Sequence, residues 1–165
     1  LGQCNRHVST MSDPGHVPTP DFILRLREKI GHDPLWLPGV TAVVLRDAEV
    51  LLVRRSDNGA WTPVTGIVDP GEHPEVTAAR EVAEETGVVC EVEQLVWVNV
   101  SNPVVHVNGD LAQYLDHTYR CRYLSGEACV NDDESTEVAW VPVDRLPEMA
   151  PLLAERISRA SSGAP

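Results

Sequence analysis

The chain has 165 residues, 42% of them hydrophobic, and its 25 acidic against 13 basic side chains give a formal net charge of -12 at pH 7. That length suits one domain able to bury a sizeable core, and such acidity argues against polymeric nucleic acid as a partner, because affinity for it comes from Lys and Arg on phosphates. No stretch reaches the ~18 apolar residues of a membrane span and no signal-peptide apolar region opens the chain, so no membrane partner and a cytoplasmic location are expected.

In chain order, residues 1–20 are polar with Pro, Gly and Ser and read as a flexible leader in which Met11 is a candidate start. Asp21 is cap-like, and FILRLREKIG has helical spacing up to a glycine stop at Gly31, which predicts a short helix. Strands are predicted at 41–46 and 49–55, joined by a turn at Asp47-Ala48, then near 61–64 and at 91–100, 114–124 and 137–142. Asp144 starts a turn containing proline, residues 151–159 read as an amphipathic helix, and 161–165 form a tail expected to fray. Residues 21–160 are thus read as one domain, without internal repeats. Cys4, Cys90, Cys121 and Cys129 form no C-x-x-C pair and are read as reduced thiols.

The segment 66–88, GIVDPGEHPEVTAAREVAEETGV, concentrates the chemistry. Pro74 suits the first turn of a helix and Gly87 a left-handed stop, which predicts a helix over 74–86. At about 100° per residue, Glu81, Glu84 and Glu85 fall on one side and Val76, Ala79 and Ala83 on the other, so the second side is expected to pack. Three carboxylates within a turn repel one another. Arg80, four residues before Glu84, can compensate one, and a hard divalent cation, Mg²⁺ or Mn²⁺, is the natural partner for the rest. A solvated acidic face is the alternative for the helix in isolation; the surrounding spacing decides against it.

Gly66, Glu72, Arg80, Glu81, Val82, Glu84, Glu85, Gly87 and Val88 match, without a gap, the pattern G-x5-E-x7-R-E-U-x-E-E-x-G-U, where U is aliphatic. The chain therefore resembles the Nudix hydrolases, from about residue 38 to 155. The resemblance implies an α/β fold, the family's α/β/α sandwich around a central mixed β-sheet, with Mg²⁺ or Mn²⁺ as cofactor and a small nucleotide-type substrate. It implies Glu84 and Glu85 as metal ligands and Glu81 as a further ligand or as the base that takes a proton from water. It offers Glu134, in Asn131-Asp132-Asp133-Glu134, as an auxiliary ligand or base; an ordinary acidic turn is the other reading.

Val64 and Thr65 stand where the family usually has Pro and Gly, yet the backbone carbonyl of Thr65 can still serve the metal, since a carbonyl does not depend on its side chain. Gly66, Glu72 and Arg80 are expected to support the site. Arg55, at a strand end, matches a position that often meets substrate phosphate, a task for a guanidinium fork, though a solvated strand-end arginine would look the same. Trp61 stacks on a base or seals the core; His117 and Tyr119 share a strand face and line the pocket or the core.

The leading expectation is a metal-dependent pyrophosphohydrolase that cleaves a nucleoside diphosphate linked to another moiety, ADP-ribose or a nucleotide sugar first. Pro103 stands at an offset that sometimes marks ADP-ribose pyrophosphatases, but a turn there needs such a residue anyway. The alternatives are a mutator-type nucleoside triphosphate pyrophosphohydrolase and a non-catalytic nucleotide-binding regulator, against which the complete motif argues. Many members pair to complete the substrate pocket, so a homodimer is compatible with the resemblance.

Overall fold

Side-chain alternation along two neighbouring strands divides the core into two layers. A computed structural model describes residues 19–106 and 108–162. Its elements are α1 (Asp21–Ile30), β1 (Leu35–Arg46), β2 (Glu49–Arg55), β3 (Trp61–Thr62), β4 (Val64–Ile67), α2 (Pro74–Thr86), β5 (Val89–Val100), β6 (Val104–Val105), β7 (Leu111–Ser125), β8 (Ser135–Pro142) and α3 (Pro151–Ser161). Val40, Ala42 and Val44 of β1 with Leu51 and Val53 of β2 pack with Ala78 and Val82 of α2. The intervening Val43, Val50 and Leu52 turn the other way, onto Ile157 and Ala160 of α3. A smaller cluster of Ile23, Leu37 and Ala112 seats α1.

The sheet is mixed, in the order β3-β2-β1-β7-β5, with β8 on β2, β4 on β1 and β6 on β7. Among the described strands, only β1 and β7 run parallel. At the outer edge, β5 pairs with β7 through three register shifts. The pairing of β1 changes along its length: β2 holds it only at Leu45 and Arg46, and β4 then takes the same edge from Gly39 to Ala42. Past the tight turn, where Asp47 adopts φ 54°, β1 and β2 therefore part. Asp is one of the few residues with a side chain that visits this conformation routinely.

Several sequence expectations are extended or corrected. Pro38 and Gly39 look like strand breakers, yet β1 begins at Leu35, because β7 pairs with it from Leu35 to Leu45. The single strand expected near 61–64 is two, and the two-residue β6 gave no local signal. Helix α2 has the expected bounds, with Gly87 left-handed at φ 69°, but its packed face is not the expected one. Val76 is 52% exposed and Ala83 is exposed, whereas Thr77, Ala78, Val82, Glu85 and Thr86 are buried. The stripe that packs takes Glu85 with it, half-buries Glu81 and leaves Glu84 exposed; the outward stripe is only mildly apolar.

Cys90 and Cys121 are free and buried, but Cys129 is disulfide-bonded rather than reduced, a pairing that spacing cannot announce. The leader lies outside the described residues apart from Thr19 and Pro20, as do residues 163–165 of the tail; Ser161 still belongs to α3. Among the described residues no helix is long and apolar enough to cross a membrane.

One buried polar cluster ties α3 to the sheet. Arg156 pairs with Asp116 at 3.2 Å and donates to Thr41 Oγ1 at 2.7 Å, while Thr41 and Thr118 donate to the two Asp116 oxygens. Removing one partner of a buried pair leaves the other charge uncompensated. Arg156→Ala should therefore cost about 3–5 kcal/mol of folding stability, read from urea denaturation against the wild-type chain; a loss below about 1 kcal/mol would show that the pair does not hold the helix.

Candidate active site

Glu85 is only 4% exposed, an unusual fate for a carboxylate, and it is buried on the same side of α2 as the hydrophobic Ala78 and Val82. Glu81, one turn earlier, rests on β4. A Cβ built on Gly66 would stand 2.5 Å from Glu81 Cγ, so only glycine leaves the Glu81 side chain its seat against the strand. Glu84 is the exposed member of the three.

Arg80 holds this face together. Its Nε and Nη2 donate to the two oxygens of Glu72 at 3.1 and 2.9 Å, and its Nη1 donates to Glu81 and to Glu84, each at 3.0 Å. Thr77 Oγ1 fixes Glu72 in turn, at 2.7 Å. One guanidinium thus meets three carboxylates from the loop and the helix.

The segment before β8 completes the surround by serving the open end of α2. Cys129 N-H donates to Thr86 O and Asn131 N-H to Glu85 O, and Asn131 Nδ2 donates to Glu84 O at 2.9 Å, which satisfies carbonyls that a helix end leaves without partners. Asp132 then accepts the N-H of Glu134 at 3.0 Å. Ser56, just beyond β2, donates to Glu134 O and Asp133 O. Glu134 is thereby brought near Arg55 and Glu85, where β1 and β2 have parted. Arg55 is gripped by both oxygens of Asp57, at 2.9 and 2.7 Å.

Burial, then mutual repulsion, raises these acids. Desolvation first, then Glu134, Asp132 and Glu81, lift the Glu85 carboxyl to about 9. Burial, opposed by Arg80 and reinforced by Glu84 and Glu134, lifts Glu81 to about 7, and burial followed by Asp132 does the same for Glu134. Glu72, bonded to Arg80, moves downward.

The donor set suits a hard divalent ion in kind, since it is all oxygen and its anionic charge exceeds that of Arg80 and Arg55. Among the described residues no three acidic, histidine or cysteine side chains form a ready metal cluster; Glu81 and Glu84 are turned onto Arg80. Thr65 lies opposite Thr41 in the β1–β4 pair, one residue before Gly66, which leaves its carbonyl within this neighbourhood.

Two other expected residues, Trp61 and Tyr119, pack into the core, and His117 stands beside the site. Trp61 packs with the α3-side cluster, on the face away from the carboxylates. Tyr119 is buried in the α2-side core beside Glu75. His117, half-buried, donates Nδ1-H to Gly39 O at 3.1 Å. Sequence reasoning missed Asp57, Asp132 and Ser135, whose buried hydroxyl has no hydrogen-bond partner. The acidic run 131–134 was the one visible signal among these; nothing local marks Asp57 as the holder of Arg55.

Two outcomes follow. Glu81 and Glu85 bind protons more tightly in the fold than at their ordinary 4.5. Their protonation therefore stabilises the native state fully below about 4.5, and that contribution is lost as pH rises through about 7 and about 9. Melting temperature measured in chelator should fall across this window, and millimolar Mg²⁺ should flatten the fall; a chelated protein whose melting point rises over the same range would contradict it. Gly66→Ala should displace Glu81 and lower turnover about 100-fold, the scale of a misplaced reacting group, with the far-ultraviolet circular dichroism unchanged.

The NUDIX domain family model matches residues 36–160. A MutT-like protein of Streptomyces ambofaciens is 37% identical over 135 residues, covering 79% of this chain and 80% of the relative. The NAD-capped RNA hydrolase NudC of Pseudomonas aeruginosa is 35% identical over 126 residues, 74% of this chain but only 41% of that protein's length. A solved UDP-X diphosphatase shares the fold, with TM-score 0.62 and 22% identity over 85% of this chain and 68% of that one. Matched along most of its length by both the family pattern and a relative of similar extent, the chain belongs to the Nudix hydrolases.

Proposed function

We propose that this Nudix hydrolase is a divalent-metal-dependent pyrophosphohydrolase cleaving the diphosphate bridge between a nucleoside and another moiety, with ADP-ribose or a nucleotide sugar as first substrate. The observation that carries the reading is the gathering of Glu85 and Glu134 about Arg55, with Glu81 beside them on Arg80, in the opening between β1 and β2. Glu84, Glu85 and the Thr65 carbonyl, with Glu81, would hold Mg²⁺ or Mn²⁺. When bound, such an ion neutralises phosphate oxygens and makes water a nucleophile at neutral pH.

The chain's own groups do the rest. Arg55, held in plane by Asp57, offers a fork to a phosphate. Arg80 fixes the rotamers of Glu81 and Glu84. Glu81, braced by Arg80 and Gly66, takes the proton from the attacking water, and Glu134 would serve as an auxiliary carboxylate for the metal from across the cleft. A linked nucleoside diphosphate is favoured because the Pseudomonas relative and the UDP-X diphosphatase both carry such compounds in their names. The net charge of -12 speaks against an RNA body as part of the substrate. The MutT-like relative favours the second reading, a nucleoside triphosphate pyrophosphohydrolase.

Product analysis separates them. With Mg²⁺ or Mn²⁺, two monophosphates from ADP-ribose or UDP-sugars support the first reading, and pyrophosphate released from triphosphates supports the second. Glu85→Gln keeps side-chain volume but deletes an anionic ligand, and it should lower kcat by at least about 100-fold with the melting curve retained. Glu81→Gln should lose about 10²- to 10⁴-fold in kcat, as for a general base, whereas Glu134→Gln should chiefly raise the metal concentration needed for half activity. The reverse pattern would exchange their roles.

A further inference from the structure

Among the described residues, nothing covers the α2 side of the sheet along its whole length. On β1 the side chains of Val40, Ala42 and Val44 belong to the buried layer, and alternation puts Pro38 and Trp36 on the same face, beyond the helix. Both are exposed, Trp36 by 57%. Across the sheet, Leu115 of β7 stands opposite Pro38 and Val100 of β5 stands opposite Leu115. His117 stands opposite Val40 and Val98 opposite His117. Val98 and Val100 are exposed too. The result is a largely apolar surface three strands wide with no carboxylate among these described residues, in a chain where acids outnumber bases 25 to 13.

Its position relates it to the carboxylate site. Val40 pairs with Gly66 of β4, against which Glu81 lies. Trp36 is four residues back along β1, about 13 Å at the rise of a strand, a distance that an extended nucleoside diphosphate can span. Between the two lies His117, whose Nδ1-H is used by the Gly39 carbonyl, leaving Nε2 for a sugar hydroxyl.

We propose that this open face is the nucleobase seat of the enzyme, with Trp36 as the stacking platform and His117 as the contact to the ribose, so that one strand carries the substrate from base to scissile phosphate. The proposal rests on the pyrophosphohydrolase reading for its diphosphate end. Stacking on an aromatic face accepts any base, so the site selects nucleoside-linked diphosphates over base-free ones rather than one nucleobase over another. The uncharged surface favours a flat apolar ring and offers nothing to a second phosphate.

The test compares wild type, Trp36→Ala and Trp36→Phe by hydrolysis of ADP-ribose, UDP-glucose and the base-free 5-phosphoribosyl diphosphate. AMP binding is measured by calorimetry in chelator, and mass by light scattering. Alanine should lower the ratio of kcat/KM for ADP-ribose to that for the base-free compound at least about tenfold, mainly through KM, and weaken AMP binding to a similar extent; phenylalanine should restore most of both. An unchanged ratio, or an equal loss on the base-free diphosphate, overturns the proposal. So does a fall in mass from dimer to monomer in Trp36→Ala, which would mean that a second copy covers the face. If wild type hydrolyses none of these compounds yet AMP binding still depends on Trp36, the catalytic reading fails and the base seat stands. Absence of both hydrolysis and AMP binding ends both.

Discussion

A half-buried carboxylate keeps its charge most readily where a cation stands beside it, and for Glu81 that cation is Arg80. It meets Glu72, Glu81 and Glu84 at once and so joins the loop before α2 to the helix itself. Without it, Glu81 would be a half-buried charge beside Glu84 with no compensation. The close seat of α2 on β4 depends on the same arrangement, since the space that Glu81 occupies exists because Gly66 has no side chain.

The second requirement is room. β1 stays with β2 for two residue pairs and then exchanges it for β4. The strands that separate there carry Arg55 at one lip and, through β4, Gly66 at the other. The segment leading into β8 bridges the gap by bonding to the last carbonyls of α2, which is why an acid far along the chain stands beside Arg55. Behind the sheet, Arg156 reaches Thr41, the residue paired with Thr65, so α3 supports the same lip from the opposite face.

How much of this was legible depended on whether a residue acts through local conformation or through distant packing. The bounds of α2 could be read because Pro74 and Gly87 act on their own backbones, whatever surrounds them. Its buried face could not, because apolarity marks Val76 and Ala83 while the fold buries Glu85 instead. Gly66 is visible as part of a spacing pattern, but the reason for it lies in a side chain fifteen positions later, about 2.5 Å from where a Cβ would be. Trp61 and Tyr119 are plausible pocket residues by type, and only the assignment of faces puts them in the core. Trp36 had no signal at all: it lies before the expected first strand, and only the pairing of β7 with β1 from Leu35 puts it in the sheet with its side chain exposed.

The register shifts of β5 bear on how the protein behaves in company. An outer strand presents unpaired amides and carbonyls that can template aggregation. Here the strand is bent out of regular pairing between Val89 and Cys90, between Val92 and Gln94, and between Leu95 and Trp97. Glu91 and Glu93 along it are engaged by Arg120 and Arg122. A neighbouring molecule that tried to extend the sheet would meet a strand bent out of regular register, with charged side chains along it. The apolar surface beside this edge can therefore stay open to a small ligand without inviting strand-to-strand polymerisation.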